Sequence, residues 1–76
     1  MSEAAPPEMD LKGVRCPLNW AKAKVRLETL GRGASLALLV DDARSARDIP
    51  RAAEAEGYDV LEVSPTAEGW RIVIER

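Results

Sequence analysis

The sequence predicts an α+β protein, a two-layer α/β sandwich in which a mixed four-stranded sheet carries both helices on one face. Two segments place apolar residues at helical spacing, and four shorter segments show the alternation or the apolar runs of strands. Their order is βαβαββ. Strands joined through a helix can run parallel by a right-handed crossover, whereas a short loop makes the last two antiparallel. The sheet is therefore expected to be mixed.

The length of 76 residues allows one domain, because independent cores usually need on the order of 100 residues each. Hydrophobic residues make up 46% of the chain and charged residues 32%, a balance typical of globular proteins. Residues 1–8 contain two adjacent prolines and no apolar period. We expect a mobile tail over residues 1–8 and a single domain over residues 9–76.

The first strand and the first helix differ in the clarity of their signals. Met9, Leu11 and Val14, interrupted by Gly13, indicate a short strand that ends in a turn. From position 17 onward, apolar residues follow one stripe of a helix, and Gly31 supplies a left-handed stop. The stripe consists of Trp20, Ala23, Leu27 and Leu30.

The second strand covers residues 34–40 and is apolar on both faces, which predicts an interior position. Ser45-Ala-Arg-Asp48 has the form of a capping box for a second helix that ends at Gly57. Because of Pro50, the sequence allows two different starts for this helix. A helix that begins after Ser45 should be bent by the proline, whereas a cap at Arg47 or Asp48 would accommodate it.

The last two segments alternate as strands over residues 58–64 and 70–75. Residues 65–69 read Pro-Thr-Ala-Glu-Gly and are expected to form the hairpin loop.

Composition excludes several classes of function. The only cysteine, Cys16, excludes an intramolecular disulfide, and the chain shows no secretory signal, so we expect a cytoplasmic protein. The absence of histidine removes histidine general bases and nearly every zinc or iron site, and no apolar run is long enough to span a bilayer. Residues 11–33 carry a net charge of +5, but no aromatic residues are interleaved with the basic ones, which argues against direct nucleic-acid binding.

Cys16 is the candidate catalytic residue. Pro17 is favoured at the first helical position, which would make Cys16 the N-cap, facing free N–H groups and the positive end of the helix dipole. That setting lowers the pKa of a thiol, and Arg15 and Lys12 would act in the same direction. A thiolate there could carry a transferred sulfur as a persulfide. The alternative is a small, buried and inert cysteine.

The crossover should bring other side chains to the same edge of the sheet. Asp41, Asp42, Ser45 and Arg47 follow the second strand and are therefore expected near Cys16. The Asp pair is interpreted mainly as turn and capping residues, and no metal site is expected.

Lys24 lies on the basic face of the first helix, which can be either a solvated surface or a docking surface for partners.

The residues Asp10-Leu-Lys-Gly-Val-Arg-Cys-Pro17, followed by Lys24, Leu27, Leu30, Gly33 and Asp41-Asp42 and by Arg47-Asp-Ile-Pro50, resemble the TusA/SirA-like small sulfur-carrier family. The resemblance spans about residues 9–75 and implies a βαβαββ sandwich with Cys16 as the persulfide-carrying residue. Asn19 departs from the family's Cys-Pro-x-Pro motif. Its backbone N–H, which proline lacks, is expected to be an additional donor to the thiolate.

The resemblance implies a sulfur carrier that accepts sulfane sulfur on Cys16 from a cysteine desulfurase or a rhodanese-like donor. It would pass the sulfur to an acceptor protein, in some relatives towards thiolation of tRNA, and would act as a carrier rather than as an independent multiple-turnover enzyme. Arg15, Lys24 and Arg47 would stabilise the anion or dock partners. We expect a monomer without metal or organic cofactor. The rival hypothesis is a non-catalytic interaction or regulatory module of the same fold with an unreactive Cys16.

Overall fold

The computed structural model describes residues 6–15 and 18–76. The elements follow the expected order βαβαββ, and their bounds are β1 Glu8–Asp10, α1 Leu18–Glu28, β2 Ser35–Val40, α2 Ala43–Ala55, β3 Asp59–Thr66 and β4 Gly69–Glu75. β1 is shorter than the predicted strand and begins at Glu8, which the sequence placed in the tail. Within the described ranges, no helix is long and apolar enough to cross a bilayer.

The four strands form one mixed sheet in the order β1-β2-β4-β3. β1 pairs with β2 in parallel, as expected for strands joined by a helical crossover, and β4 pairs antiparallel with both β2 and β3. The predicted mixed sheet is thus confirmed. β2 and β4 are the interior strands, which agrees with the two apolar faces of β2.

Both helices cover the same face of the sheet. Alternate residues of β2 and β4 point to this face, and the register pairs Leu36 with Ile74 and Leu38 with Ile72. Against them pack the buried residues of the two helices, including Ala23 and Leu27 of the predicted stripe; the core cluster consists of Leu11, Trp20, Ala23, Leu27, Leu36, Leu38, Val40, Ile49, Ala53, Ile72 and Ile74. This aliphatic layer holds the strand ends and helix ends in fixed positions.

α2 begins earlier than either start considered from the sequence. Asp42 is its N-cap, with Oδ1 accepting from Arg44 N–H at 3.0 Å, so Ser45, Arg47 and Asp48 all lie inside the helix. Pro50 lies in the interior, where it removes one backbone hydrogen bond at a cost of about 3 kcal/mol. Ile49 and Ala53 are fully buried on either side of it, and this burial keeps the helix continuous.

The helix stops are only partly as predicted. Gly57 has φ +91, with Gly57 N–H donating to the Glu54 carbonyl and Tyr58 N–H to the Ala53 carbonyl, which confirms the glycine stop of α2. The stop assigned to Gly31 is wrong. The left-handed residue after α1 is Gly33, at φ +86, in the turn that leads into β2.

The final hairpin is tighter than predicted, because Thr66 pairs with Gly69 and only Ala67 and Glu68 remain between the strands. Pro65 therefore belongs to β3 and not to the loop. β3 is an edge strand, where a residue without an N–H is tolerated.

Candidate functional site

The segment that leads towards Cys16 is anchored to the end of β2. Leu11 N–H donates to the Leu39 carbonyl at 2.8 Å, and Val14 N–H donates back to the Leu11 carbonyl at 3.0 Å, which closes a turn with Gly13 at φ +83. Gly13 N–H then donates to Asp41 Oδ1 at 3.2 Å. The carboxyl ends of β1 and β2 meet at one edge, which is where the parallel crossover predicts a site.

An open cleft of about 760 Å³ lies at this edge. Its walls come from the β1–α1 segment and from the junction between β2 and α2; they are Gly13, Val14, Arg15, Asp41, Asp42 and Arg44. Arg15 is exposed and is the residue directly before Cys16 in the sequence. Cys16 and Pro17 lie outside the described residues, and so does the predicted N-cap role of Cys16.

The cleft contains two carboxylates and two guanidinium groups. Asp41 accepts from Gly13 and Asp42 caps α2, so both acids have the turn and capping roles expected from the sequence. Of the two arginines, Arg15 was predicted and Arg44 was not. Arg44 was missed because it belongs to the site only when α2 begins at Ala43. If Asp42 is taken as the N-cap of α2, with Ser45 three residues later, Arg44 falls in the first turn of the helix and could have been predicted at the site.

Asn19 is fully buried, and its backbone N–H and both polar atoms of its side chain are hydrogen-bonded. Its backbone N–H donates to the Arg15 carbonyl at 3.1 Å. Its side-chain Nδ2 donates to Ser45 Oγ at 2.8 Å, and its Oδ1 accepts from Trp20 N–H at 2.7 Å. From the sequence we expect the Asn19 N–H to donate a hydrogen bond to the Cys16 thiolate. In the structure this N–H donates to the Arg15 carbonyl instead.

Lys24 is occupied by an ion pair between the two helices. Its Nζ lies 2.9 Å from Glu56 Oε1, while Trp20 Nε1 donates to Glu56 Oε2 at 3.0 Å. The hydrogen bonds from Trp20 and Lys24 lower the pKa of Glu56, and the hydrogen bond to Glu56 raises the pKa of Lys24. Lys24 therefore links α1 to the residue that follows α2 and does not line the cleft.

Two further basic residues that were considered for the site are paired elsewhere. Arg47 Nε lies 3.1 Å from Asp48 Oδ1, on the exposed side of α2. Lys12 Nζ lies 3.3 Å from Asp10 and 3.5 Å from Glu68, and the hydrogen bond to Asp10 raises the pKa of Lys12. The positive charges that remain in the cleft walls are those of Arg15 and Arg44.

A second depression lies on the outer side of α1, and we call it the α1 groove. It has a volume of about 560 Å³ and is lined by Met9, Leu18, Ala21, Lys22, Val25, Arg26 and Thr29. Leu18 is 56% exposed and Val25 is 63% exposed, high values for aliphatic side chains. Leu18 is also two residues after Cys16 in the sequence.

In the part of the chain that the structure describes, no three side chains of the metal-ligating types come together. The structure combines a polar cleft that contains two guanidinium groups with an apolar groove on α1. In the sequence, Arg15 of the cleft directly precedes Cys16 and Leu18 of the groove follows it by two residues. The two guanidinium groups suit the binding of an anionic group at the surface.

Comparisons with known proteins identify the family. The model of the family described as "Sulfurtransferase TusA" matches residues 8–76. A "Putative sulfur carrier protein" of Archaeoglobus fulgidus is 35% identical over 69 residues, which cover 90% of this chain and 78% of that protein. A protein of the same description from Methanocaldococcus jannaschii is also 35% identical, over 91% of this chain and 92% of its own.

A solved structure gives the same result at the level of the fold. The crystal structure of the SirA-like protein of Desulfitobacterium hafniense superimposes with a TM-score of 0.75 at 30% sequence identity, covering 90% of this chain and 92% of that one. Together with the family model that matches residues 8–76, this similarity shows that the chain belongs to the TusA family of sulfur carriers.

Proposed function

We propose that this chain carries sulfane sulfur as a persulfide on Cys16, which it receives from one protein and delivers to another. The observation that best supports the proposal is the open cleft at the edge where β1 and β2 end, because one of its walls includes Arg15, the residue before Cys16. Partner proteins can reach such an edge directly. The reaction needs a thiolate, and the chain has one cysteine to supply it.

Loading and unloading are both exchange reactions at sulfur. In loading, the Cys16 thiolate attacks the terminal sulfur of a donor persulfide; the sulfur–sulfur bond of the donor breaks, and the donor leaves as a thiolate. In unloading, a nucleophile of the acceptor attacks the terminal sulfur on Cys16, which leaves as a thiolate. Each step forms one bond to sulfur and breaks another, so neither an external oxidant nor an external reductant is required.

Arg15 and Arg44 are the residues that we assign to the anion. A persulfide is negatively charged at neutral pH, and a guanidinium group can stabilise it with a charge-assisted hydrogen bond. We retain Pro17 as a positioning residue at the start of the helix. We do not assign this role to Lys24 or Arg47, because Lys24 forms an ion pair with Glu56 and Arg47 forms one with Asp48.

The α1 groove is the surface that we propose for partner docking. Lys22 and Arg26 stand at its rim, and its floor is apolar. It therefore fits a partner segment that presents aliphatic side chains flanked by carboxylates. Among the described residues, neither Lys22 nor Arg26 has an ion pair that would neutralise it.

The partners that we propose are a cysteine desulfurase or a rhodanese-like protein as donor, and an acceptor in a pathway such as tRNA thiolation. The chain would act in the cytoplasm as a monomer and would complete one transfer for each loading. Both partners would approach the same edge of the sheet, since the sulfur is carried at a single position.

Thiol reactivity separates this function from an inert module of the same fold. At about pH 6.5 the carrier should react with iodoacetamide clearly faster than an unstructured peptide with the same Arg-Cys-Pro sequence, because a lowered pKa increases the thiolate fraction. A rate equal to or below that of the peptide would contradict the proposal and favour the non-catalytic module.

A further inference from the structure

The interior contains two polar side chains whose contacts the proposed chemistry does not use. Among the described residues, Asn19 and Ser45 are the polar residues that are buried, and each is fully buried within an otherwise aliphatic core. A buried amide or hydroxyl is costly unless it is hydrogen-bonded. No buried side-chain nitrogen or oxygen in the described part of the chain lacks a partner.

The two side chains form a continuous chain of hydrogen bonds. Asn19 Nδ2 donates to Ser45 Oγ at 2.8 Å, and Ser45 Oγ donates to Asp42 Oδ2 at 3.3 Å. The other oxygen of Asp42 caps α2 through Arg44 N–H at 3.0 Å. The start of α1 is thus joined to the start of α2 by directional bonds, which apolar packing alone would not provide.

This chain of bonds has a counterpart on the other side of Cys16. Asp41 Oδ1 accepts from Gly13 N–H, three residues before Cys16, while Asp42 reaches Asn19, three residues after it, through Ser45. Two adjacent aspartates at the end of β2 therefore hold both flanks of the segment that contains Cys16. Asn19 N–H also bonds the Arg15 carbonyl within that segment.

We propose that Asn19 and Ser45 are positioning residues for Cys16, because the chain of bonds from Asn19 through Ser45 to Asp42 fixes the start of α1, which begins two residues after Cys16 in the sequence. The inference rests on the proposed function. An interaction this directional keeps the start of α1 in one arrangement, and a shift of about 1 Å at a reacting group can slow a reaction substantially.

The test measures alkylation of Cys16 by iodoacetamide as a function of pH in Asn19→Ala, in Ser45→Ala and in the double variant. Each single variant should react about threefold or more slowly than the parent at the same pH, because a displaced start of α1 would stabilise the Cys16 thiolate less. The double variant should be no slower than the slower single variant, because both changes break the same chain of bonds. Ser45→Thr keeps the hydroxyl and should restore most of the rate.

A matched control separates positioning from general loss of stability. Ile74→Val removes one buried methylene at the end of the sheet remote from the cleft, where Ile74 pairs with Leu36. It should lower the melting temperature without changing the alkylation profile. Parent-like rates in Asn19→Ala and Ser45→Ala, or rates that follow melting temperature in all variants including Ile74→Val, would overturn the proposal. Alkylation needs no sulfur donor, so its result is independent of whether Cys16 accepts sulfur.

Discussion

Gly69 shows how one residue brings the hairpin against the site. A Cβ at Gly69 would clash with the Val40 carbonyl oxygen and would lie 2.7 Å from Asp41 Cα, and both atoms belong to backbone that cannot easily move aside. Only glycine permits β4 to approach the end of β2 this closely. The start of β4 therefore packs directly against the backbone of the junction that carries Asp41 and Asp42.

Gly69→Ala should be strongly destabilising. The clash is with backbone, so we expect a loss of about 1–3 kcal/mol in the free energy of unfolding, measured by urea denaturation. Gly31→Ala is the matched control, because nothing lies within 4 Å of its Cβ position and it should be nearly neutral. Equal stabilities of the two variants would show that β4 can move away from β2.

Asn19 illustrates what sequence reasoning at a single residue could not provide. Its place in the first turn of α1 was predictable from the helical stripe. Its partner was not, because Ser45 is 26 positions away and was interpreted as the first residue of a capping box. The contact arises only when α1 and α2 pack side by side, so it depends on tertiary structure and leaves no local pattern.

At the scale of elements, α1 and the end of α2 are joined by Glu56, whose carboxylate accepts from Trp20 Nε1 and from Lys24 Nζ. These hydrogen bonds lower the pKa of Glu56 below the ordinary value of a glutamate. A carboxyl group with a lower pKa in the folded state contributes stability that is complete above its unfolded pKa. This contribution is lost as the pH falls through the folded pKa.

Glu56→Gln should therefore lower the melting temperature near neutral pH by more than it does in acid. The difference between parent and variant should be constant at pH values above the ordinary pKa of a glutamate, about 4.3, and should narrow as the pH falls further and the parent carboxylate becomes protonated. Glu54→Gln, an exposed neighbour one residue before the end of α2, is the control. A difference that stays the same across this range would mean that the ion pair does not stabilise the fold.

The α1 groove makes a separate prediction about docking. Lys22→Glu combined with Arg26→Glu should weaken association with the donor about tenfold at low ionic strength, with a smaller effect at high salt and little change in stability. The control is Arg32→Glu with Arg51→Glu, which changes the net charge equally at exposed positions outside the groove. If the double variant associates with the donor as tightly as the control does, this face of α1 is an ordinary solvated surface and not a docking surface.

The elements themselves were predictable to different degrees. The apolar stripe of α1, the apolar run of β2 and the alternation of β4 follow directly from burial, so the positions of these elements agree with the structure to within about two residues. The start of α2 and the extent of β3 were not predictable, because each includes a proline that local propensity treats as a boundary. Burial of Ile49 next to Pro50, and the edge position of β3 next to Pro65, override that propensity.

At the scale of the whole molecule, the parallel pairing of β1 with β2 decides where the chemistry can be. It brings Gly13 to Asp41 and opens the cleft beside Arg15, while the helices leave the same edge accessible. The sequence predicted this convergence from topology alone. Which arginine of α2 would reach the cleft depended on the helix start, and so Arg44 rather than Arg47 lines it.

The central claim is that Cys16 carries the sulfur. The most direct measurement is intact-mass spectrometry after incubation with a cysteine desulfurase and cysteine, or with a rhodanese and thiosulfate. The account predicts a gain of one sulfur atom that is reversed by a thiol reductant and is absent in Cys16→Ser, which should remain folded because serine is close to cysteine in size and is well tolerated near the start of a helix. A folded parent protein that gains no sulfur from either donor, or a Cys16→Ser variant that still gains it, would contradict the account.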